Sequence, residues 1–378
     1  MPKGQPISSH ISSGGKEPEI NKFFKIAIKL DASDLHLKVG LPPKLRLQGS
    51  LKNVAAEPIT EQKIKKLVFE ILSEEQKEYF LKNGALDFAW QVTDADRFRT
   101  NIFRQRGFIS LAARHITSNI PPFESLNLPP IVEKIADSHE GMILVTGPTG
   151  CGKSTTIASM IDHINRTRSC HIVTIEDPLE FLHTDRKAII SQREIGVDVP
   201  DYGSALRSLM RQDPDVVLIG EMRDTETLTA GMRAAETGHL VFGTLHAASA
   251  SQTIQRVLDL FPAEERGLMR QTFAMTFRAV VSQTLLKGLK PEAKRVPAIE
   301  ILIANPIVRK LISEERETEL PNVIRSCQNE GMQDFTESLR YLIEDEWVDM
   351  KLALKYAPNV EELKMALKGI RTTASSVL

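Results

Sequence analysis

The chain has 378 residues, 42% of them hydrophobic and 26% charged, with a formal net charge of -1. That length predicts two or three domains, and the near-neutral charge excludes a broad basic field for nucleic acid or anionic lipid. Three scattered cysteines, Cys151, Cys170 and Cys327, exclude a disulfide framework and a structural zinc site, and they fit a reducing cytosol.

Residues 1–19 are rich in Ser, Gly, Pro and Lys and lack an apolar signal segment, so a disordered leader is expected there. No later stretch reaches the ~18 apolar residues of a membrane helix. From Ile20 to Leu30 the apolar residues fall at helical spacing. Asp34 to Val39 and Lys44 to Leu47 alternate apolar and polar about the turn Gly40-Leu41-Pro42-Pro43, which predicts a hairpin. Residues 61–83 read as a helix, and 87–114 return to alternation. Residues 20–116 are therefore expected to form an α+β domain. Residues 117–130 carry four prolines and read as a semi-stiff linker that could hinge.

Beyond the linker the texture changes. Short apolar runs at 142–145, 172–175, 216–219 and 240–242 are separated by helical patterns. Continuous apolar strands between helices predict a parallel sheet covered on both faces, an α/β core over 131–288. From Ala263 the chain reads as helical: 264–288, 306–315, 320–329, 333–345 and 359–370. Residues 289–378 are expected to be a helical C-terminal region.

The sharpest motif is Gly147-Pro148-Thr149-Gly150-Cys151-Gly152-Lys153-Ser154-Thr155, a full GxxxxGK[ST] between an apolar strand and a helix. Its glycines let backbone N–H groups curl around a phosphate, and the helix N-terminus adds partial positive charge. Lys153 is expected to reach the β- and γ-phosphates of ATP and Ser154 to hold Mg²⁺. Cys151 reads as a small filler rather than a redox group.

Three further clusters lie at strand ends. Glu221, after Val216 to Ile219, stands where an acid completes the Mg²⁺ shell, with a solvated loop acid as the alternative. Glu176, Asp177 and Glu180 surround Pro178, where a carboxylate could orient the attacking water; an Asp–Pro helix cap is the competing reading. His239 and His246 bracket an apolar run, too far apart for one ion. A lone histidine is more often a satisfied hydrogen-bonding residue, though His246 beside a γ-phosphate could sense it. Arg97, Arg99, Arg104, Arg106 and Arg114 read either as a solvated basic face or as phosphate contacts across a subunit boundary.

From about Asp34 to about Leu342 these motifs, in this order, resemble the secretion ATPase superfamily. Ser33 to Leu37 with Gly40 to Pro43 is similar to the opening of its PAS-like N-terminal domain. Glu176 to Phe181 is similar to its Asp box, Leu218 to Asp224 to its Walker B and Thr237 to Ala247 to its His box. The resemblance implies a RecA-like ATPase core with Glu180 as general base and Glu221 as Walker B acid. His239 and His246 would be the His-box pair, with Arg99 and Arg114 reaching nucleotide and Arg97 the alternate. It also implies a homohexamer, rocking about the linker, at the inner face of the cytoplasmic membrane. Its partners would be an inner-membrane pilus platform protein and, through it, the pilin fibre.

The missing tetracysteine module and short N-terminal region favour the retraction branch of type IV pilus motors. Ile307 to Glu314 matches that branch's C-terminal helix at Arg309, Leu311, Ile312 and Glu314 and departs elsewhere. Two roles stay open: the motor itself, and an accessory ATPase or nucleotide-dependent scaffold stacked on another pilus ATPase. A nucleic-acid translocase is disfavoured by the neutral charge.

Overall fold

Residues 17–47, 49–93 and 96–370 are described in a computed structural model of the chain; most of the expected leader lies outside them. The chain divides into two units. One holds residues up to Asn119 together with Leu179–Thr184 and Gly196–Asp198, and the other holds Ile120–Pro178, Asp185–Ile195 and the chain from Val199.

The first unit runs α1 (Asn21–Lys29), β1 (Asp34–Lys38), β2 (Lys44–Leu47), β3 (Ser50–Asn53), α2 (Glu61–Phe69), α3 (Glu74–Asn83), β4 (Ala85–Thr93), β5 (Asp96–Gln105) and β6 (Phe108–Ile116). Its strands form a six-stranded antiparallel sheet in the order β3-β2-β1-β6-β5-β4. The alternation in the sequence puts Leu35, Leu37, Phe98, Ile102 and Leu111 on the face buried against Phe23, Phe24, Ile64 and Phe80 of the helices. The Trp90 indole donates to Asn21 Oδ1 (2.8 Å), so the one polar atom of that ring is satisfied inside the core. The expected single helix over 61–83 is two. Ser73 interrupts it with a reciprocal capping box to Gln76, and a cap there ends one hydrogen-bonded ladder and starts the next.

The second unit runs α4 (Ile131–Ala136), β7 (Gly141–Thr146), α5 (Lys153–Thr167), β8 (His171–Glu176), β9 (Ile189–Glu194), α6 (Tyr202–Leu209), β10 (Val216–Ile219), α7 (Thr225–Glu236), β11 (Leu240–Leu245), α8 (Ala250–Asp259), α9 (Ala263–Thr276), β12 (Phe277–Lys287), β13 (Arg295–Ile303), α10 (Pro306–Ser313), α11 (Leu320–Ser326), α12 (Phe335–Glu344), α13 (Met350–Tyr356) and α14 (Val360–Leu367). Seven strands form one sheet, β13-β12-β7-β11-β10-β8-β9, parallel except for the β12/β13 hairpin. Helices cover both faces: α7, α8 and α9 on one and α4 and α5 on the other, each over its own apolar cluster. This is why the central strands read as unbroken apolar runs.

Three expectations change here. The helix expected over 264–288 ends at Thr276, and Phe277–Lys287 is a strand. Ala279, Val280 and Val281 are fully buried beside β7, and a short apolar run of this kind fits a buried strand or a helix equally until its neighbours are known. A boundary at 288/289 therefore cuts the β12/β13 hairpin, which belongs to the sheet. Of the stretch read as a linker, Ile120 is buried, Ser159 Oγ donates to the Pro121 carbonyl (2.6 Å), and Phe123 and Leu128 pack on the second unit's core.

Phe98 is fully buried between the rings of Phe24 and His115. Phe98→Ala is expected to cost about 3–5 kcal/mol, read as a lower denaturant midpoint for the transition of the first unit.

Candidate nucleotide site

Four parallel strands, β7, β8, β10 and β11, end on the same edge of the sheet, and each is followed by chemistry-bearing residues. Ligands in open α/β sheets bind at this carboxyl edge. The phosphate loop follows β7. Gly147 has φ 140° and Gly152 φ 92°, conformations that L side chains rarely adopt. Steric limits are sharper still at Gly147, where a Cβ would lie 2.2 Å from the Gln283 carbonyl oxygen and 2.6 Å from Cys151 Sγ. Pro148, Thr149 and Gly150 are exposed, whereas Cys151 is buried and burial pushes its thiol up, which keeps it protonated. Lys153 opens α5 and its Nζ donates to the carbonyls of Gly147 (3.0 Å) and Pro148 (3.2 Å). Ser154 and Thr155 follow, half-buried in the first turn of α5.

Glu221 lies two residues beyond β10. One carboxylate oxygen is 3.4 Å from His246 Nε2 and the other is 3.0 Å from Arg223 Nε. The turn carrying Glu221 is braced from β11: Thr244 Oγ1 donates to the Gly220 carbonyl (2.6 Å) and Met222 N donates to the Thr244 carbonyl (3.0 Å). His246 directly follows β11, so strand register brings it to Glu221. His239 is not brought to this group. It precedes β11, at the strand's other end, and its Nδ1 lies 2.9 Å from the Ala234 carbonyl and 3.0 Å from Thr237 Oγ1. A six-residue strand separates the two imidazoles by roughly 20 Å.

Within β8, the Thr174 hydroxyl donates to Glu176 Oε1 at the strand's end (2.7 Å). Asp177–Pro178 is a cis peptide. The alternative reading of Asp177 as a helix cap does not hold, since the next helix is α6, capped by Asp201. Glu180 is exposed and belongs to the first unit, in a segment paired to it through Leu182 N donating to the Thr117 carbonyl (3.0 Å). Arg99 and Arg114 are also in the first unit, directly opposite each other in the β5/β6 register. Like charges so placed repel, and Asp34 relieves this by taking Arg114 Nε at 3.0 Å.

Two side chains at this edge carried no motif. Tyr202, at the start of α6, is pushed up to about 12 by burial, with Asp177 adding to the shift. Its phenol therefore keeps its proton beside the carboxylates. Gln283, on β12, is buried; its Nε2 donates to the Cys151 carbonyl (2.7 Å) and its Oε1 accepts from the Thr156 hydroxyl (3.0 Å). Its neighbour Ser282 joins a buried hydroxyl chain with Thr146 (2.7 Å) and Thr253 (3.2 Å). The signal for Gln283 and Ser282 was the polar triplet Ser282-Gln283-Thr284 inside the otherwise apolar run 279–286.

Ser154 and Glu221 supply a hydroxyl and a carboxylate, oxygen donors of the kind Mg²⁺ takes alongside phosphate oxygens. No group of three or more His, Cys, Asp or Glu that could hold a metal by itself occurs among the described residues.

Comparison with known proteins gives a consistent set. The family described as Type II/IV secretion system protein matches residues 125–352. The type IV pilus retraction ATPase PilT of Pseudomonas aeruginosa is 41% identical over 325 residues, 86% of this chain and 94% of its own. The type IV pilus ATPase PilU of the same species is 34% identical over 350 residues, 93% of this chain and 91% of its own. Among solved structures, the pilus retraction motor PilT with bound ADP superposes with a TM-score of 0.83 at 42% identity, over 92% of this chain and 99% of that one.

The loop that carries His246 runs into α8, whose first N–H, Ala250 N, donates to the buried Glu300 carboxyl of β13 (2.5 Å). Burial pushes Glu300 up to about 7 from 4.5, and the Ala250 N–H opposes part of that rise. The folded protein thus holds a proton that the unfolded chain releases earlier. Stability from this group is full below the unfolded pKa and is lost as pH rises to about 7. Glu300→Gln, which cannot ionise, is expected to flatten the fall in melting temperature between pH 5 and pH 7.

Proposed function

Because the chain belongs to the Type II/IV secretion system protein family, within its type IV pilus retraction ATPases, we propose that it works as a ring-shaped homohexameric motor. It hydrolyses ATP to power pilus retraction. The observation that carries the reading is the convergence, on one sheet edge, of a complete phosphate loop with the Glu221–His246 pair.

The roles follow from chemistry. The loop's N–H groups and the α5 N-terminus bind the phosphates, with Lys153 drawn to the β- and γ-oxygens. Ser154 and Glu221 hold Mg²⁺, which neutralises charge building up between those phosphates. His246, sharing Glu221 with Arg223, registers the charge of the γ-phosphate through that shared carboxylate. Glu180 accepts the proton of the attacking water. Arg99 and Arg114, adjacent and exposed, form a paired cationic face suited to a neighbouring subunit's phosphates.

Work reaches the pilus through an inner-membrane platform protein. Among the described residues no helix is long and apolar enough to cross a membrane, so that association rests on partners. An accessory role beside another pilus ATPase is the second reading, motivated by the PilU relative that spans 93% of the chain. The higher identity to PilT, 41% against 34%, favours the motor.

Steady-state phosphate release with Mg²⁺-ATP, read beside oligomeric mass, tests this. Turnover is expected with a mass of about six subunits. Glu180→Gln is expected to keep ATP binding and lose at least ~100-fold in turnover. Full turnover in that variant would remove Glu180 from its role, and a nucleotide-bound ring without turnover in the unaltered protein would transfer the reading to the accessory one. Lys153→Ala is expected to weaken nucleotide binding and abolish phosphate release.

A further inference from the structure

We propose that Gln283 is the positioning residue of the phosphate loop, holding the loop in the shape that presents its N–H groups to the phosphates. A nest binds an anion only while its successive N–H groups converge, so its carbonyls point outward and must be satisfied elsewhere. Three of those carbonyls are taken by side chains. Lys153 takes Gly147 and Pro148, and Gln283 takes Cys151. Lys153 is also the side chain that phosphates attract. Gln283, 1% exposed, has no competing partner in solvent.

The amide is fixed at both ends. The Cys151 carbonyl can only accept, so Nε2 must face it, and the Thr156 hydroxyl donates to the remaining Oε1. That hydroxyl sits in the first turns of α5, the helix whose N-terminus faces the phosphates. The main chain of the same residue closes the other side of the loop, with its carbonyl oxygen 2.2 Å from where a Gly147 Cβ would stand. At Gly152 a Cβ would lie 3.1 Å from Gln283 Nε2. One residue of β12 therefore meets the loop at its first glycine, its buried cysteine, its last glycine and the helix it feeds.

Binding of ADP tests the idea without recourse to turnover, by calorimetry and by the rise in melting temperature that saturating ADP produces. Gln283→Leu, close in size but without either hydrogen bond, is expected to raise the ADP Kd at least ~10-fold, the scale of one lost buried hydrogen bond and its stranded partner, and to shrink the ADP-dependent rise. Gln283→Glu keeps shape and the acceptor for Thr156 but sets a second acceptor against the Cys151 carbonyl, and it is expected to weaken ADP at least as much. Thr156→Val frees the amide to turn and is expected to give a smaller loss. The double variant of Gln283→Leu with Thr156→Val is then no weaker than Gln283→Leu alone, because both changes break one relay. If both Gln283 variants melt lower without ADP yet bind ADP within twofold of the unaltered protein, the residue is structural only and the proposal is overturned. Losses that add in the double variant overturn the relay through Thr156. Should Gln283→Leu fail to fold, the isosteric Gln283→Glu decides.

Discussion

The close approach of β12 to Gly147 is the constraint on which the rest of the site depends. With the Gln283 carbonyl 2.2 Å from any Cβ placed there, the chain can leave β7 and enter the phosphate loop only through glycine. The crowding has a source in the sheet. β7 is flanked in parallel by β11 and β12, so it is paired on both sides through Thr146, its last residue. The register then does the rest. Ser282 pairs with Thr146, the last residue of β7, and Gln283 falls beside the first residue of the loop. A loop that must bind phosphate with its own N–H groups is built where the surrounding backbone leaves it least freedom, and binding then costs little reordering.

The same edge concentrates negative charge. Glu176 ends β8, Asp177 follows it and Glu221 follows β10. Such a site would repel its ligand unless cations offset the carboxylates. Arg223 on Glu221, Lys153 and the α5 N-terminus supply part of that balance, and in the motor proposed above Mg²⁺ brought with the nucleotide would supply the remainder. Tyr202 contributes without charge, because burial keeps its phenol protonated among acids.

What was legible in the sequence was whatever a short stretch settles by itself. Gly147 to Thr155 carries its loop and its helix start in consecutive residues, and Glu221 and His246 each lie a few residues after a short apolar run read as a strand, which β10 and β11 are. The alternation of 87–114 gave the sheet of the first unit for the same reason. Residues 277–287 were not legible, since an apolar run following a helical pattern has the spacing of either element. Only β7 lying alongside turns it into a strand. With β12 unseen, Gln283 and Ser282 were unseen too, because their partners are 132 and 136 residues away in the chain. Tyr202 and Glu300 were hidden likewise, as both owe their properties to burial made by distant elements.

Strand β12 also does something that its place beside the loop does not require. Beyond Gln283 it continues to Leu286, which is buried with Val296 and Ala298 of β13 and with Phe335, Leu339 and Leu342 of α12 in the C-terminal cluster. Three residues of strand span only about 10 Å, and the pairing of β12 with β13 continues through Lys287, so no hinge separates the two ends. Gly288, just beyond β12, is further tied by a bridge to Val348. A packed, paired strand moves as a body rather than bending. Any shift of the C-terminal helices large enough to move Leu286 therefore moves Gln283, and with it the carbonyl of Cys151. The phosphate loop and the C-terminal packing are joined by three residues of one strand.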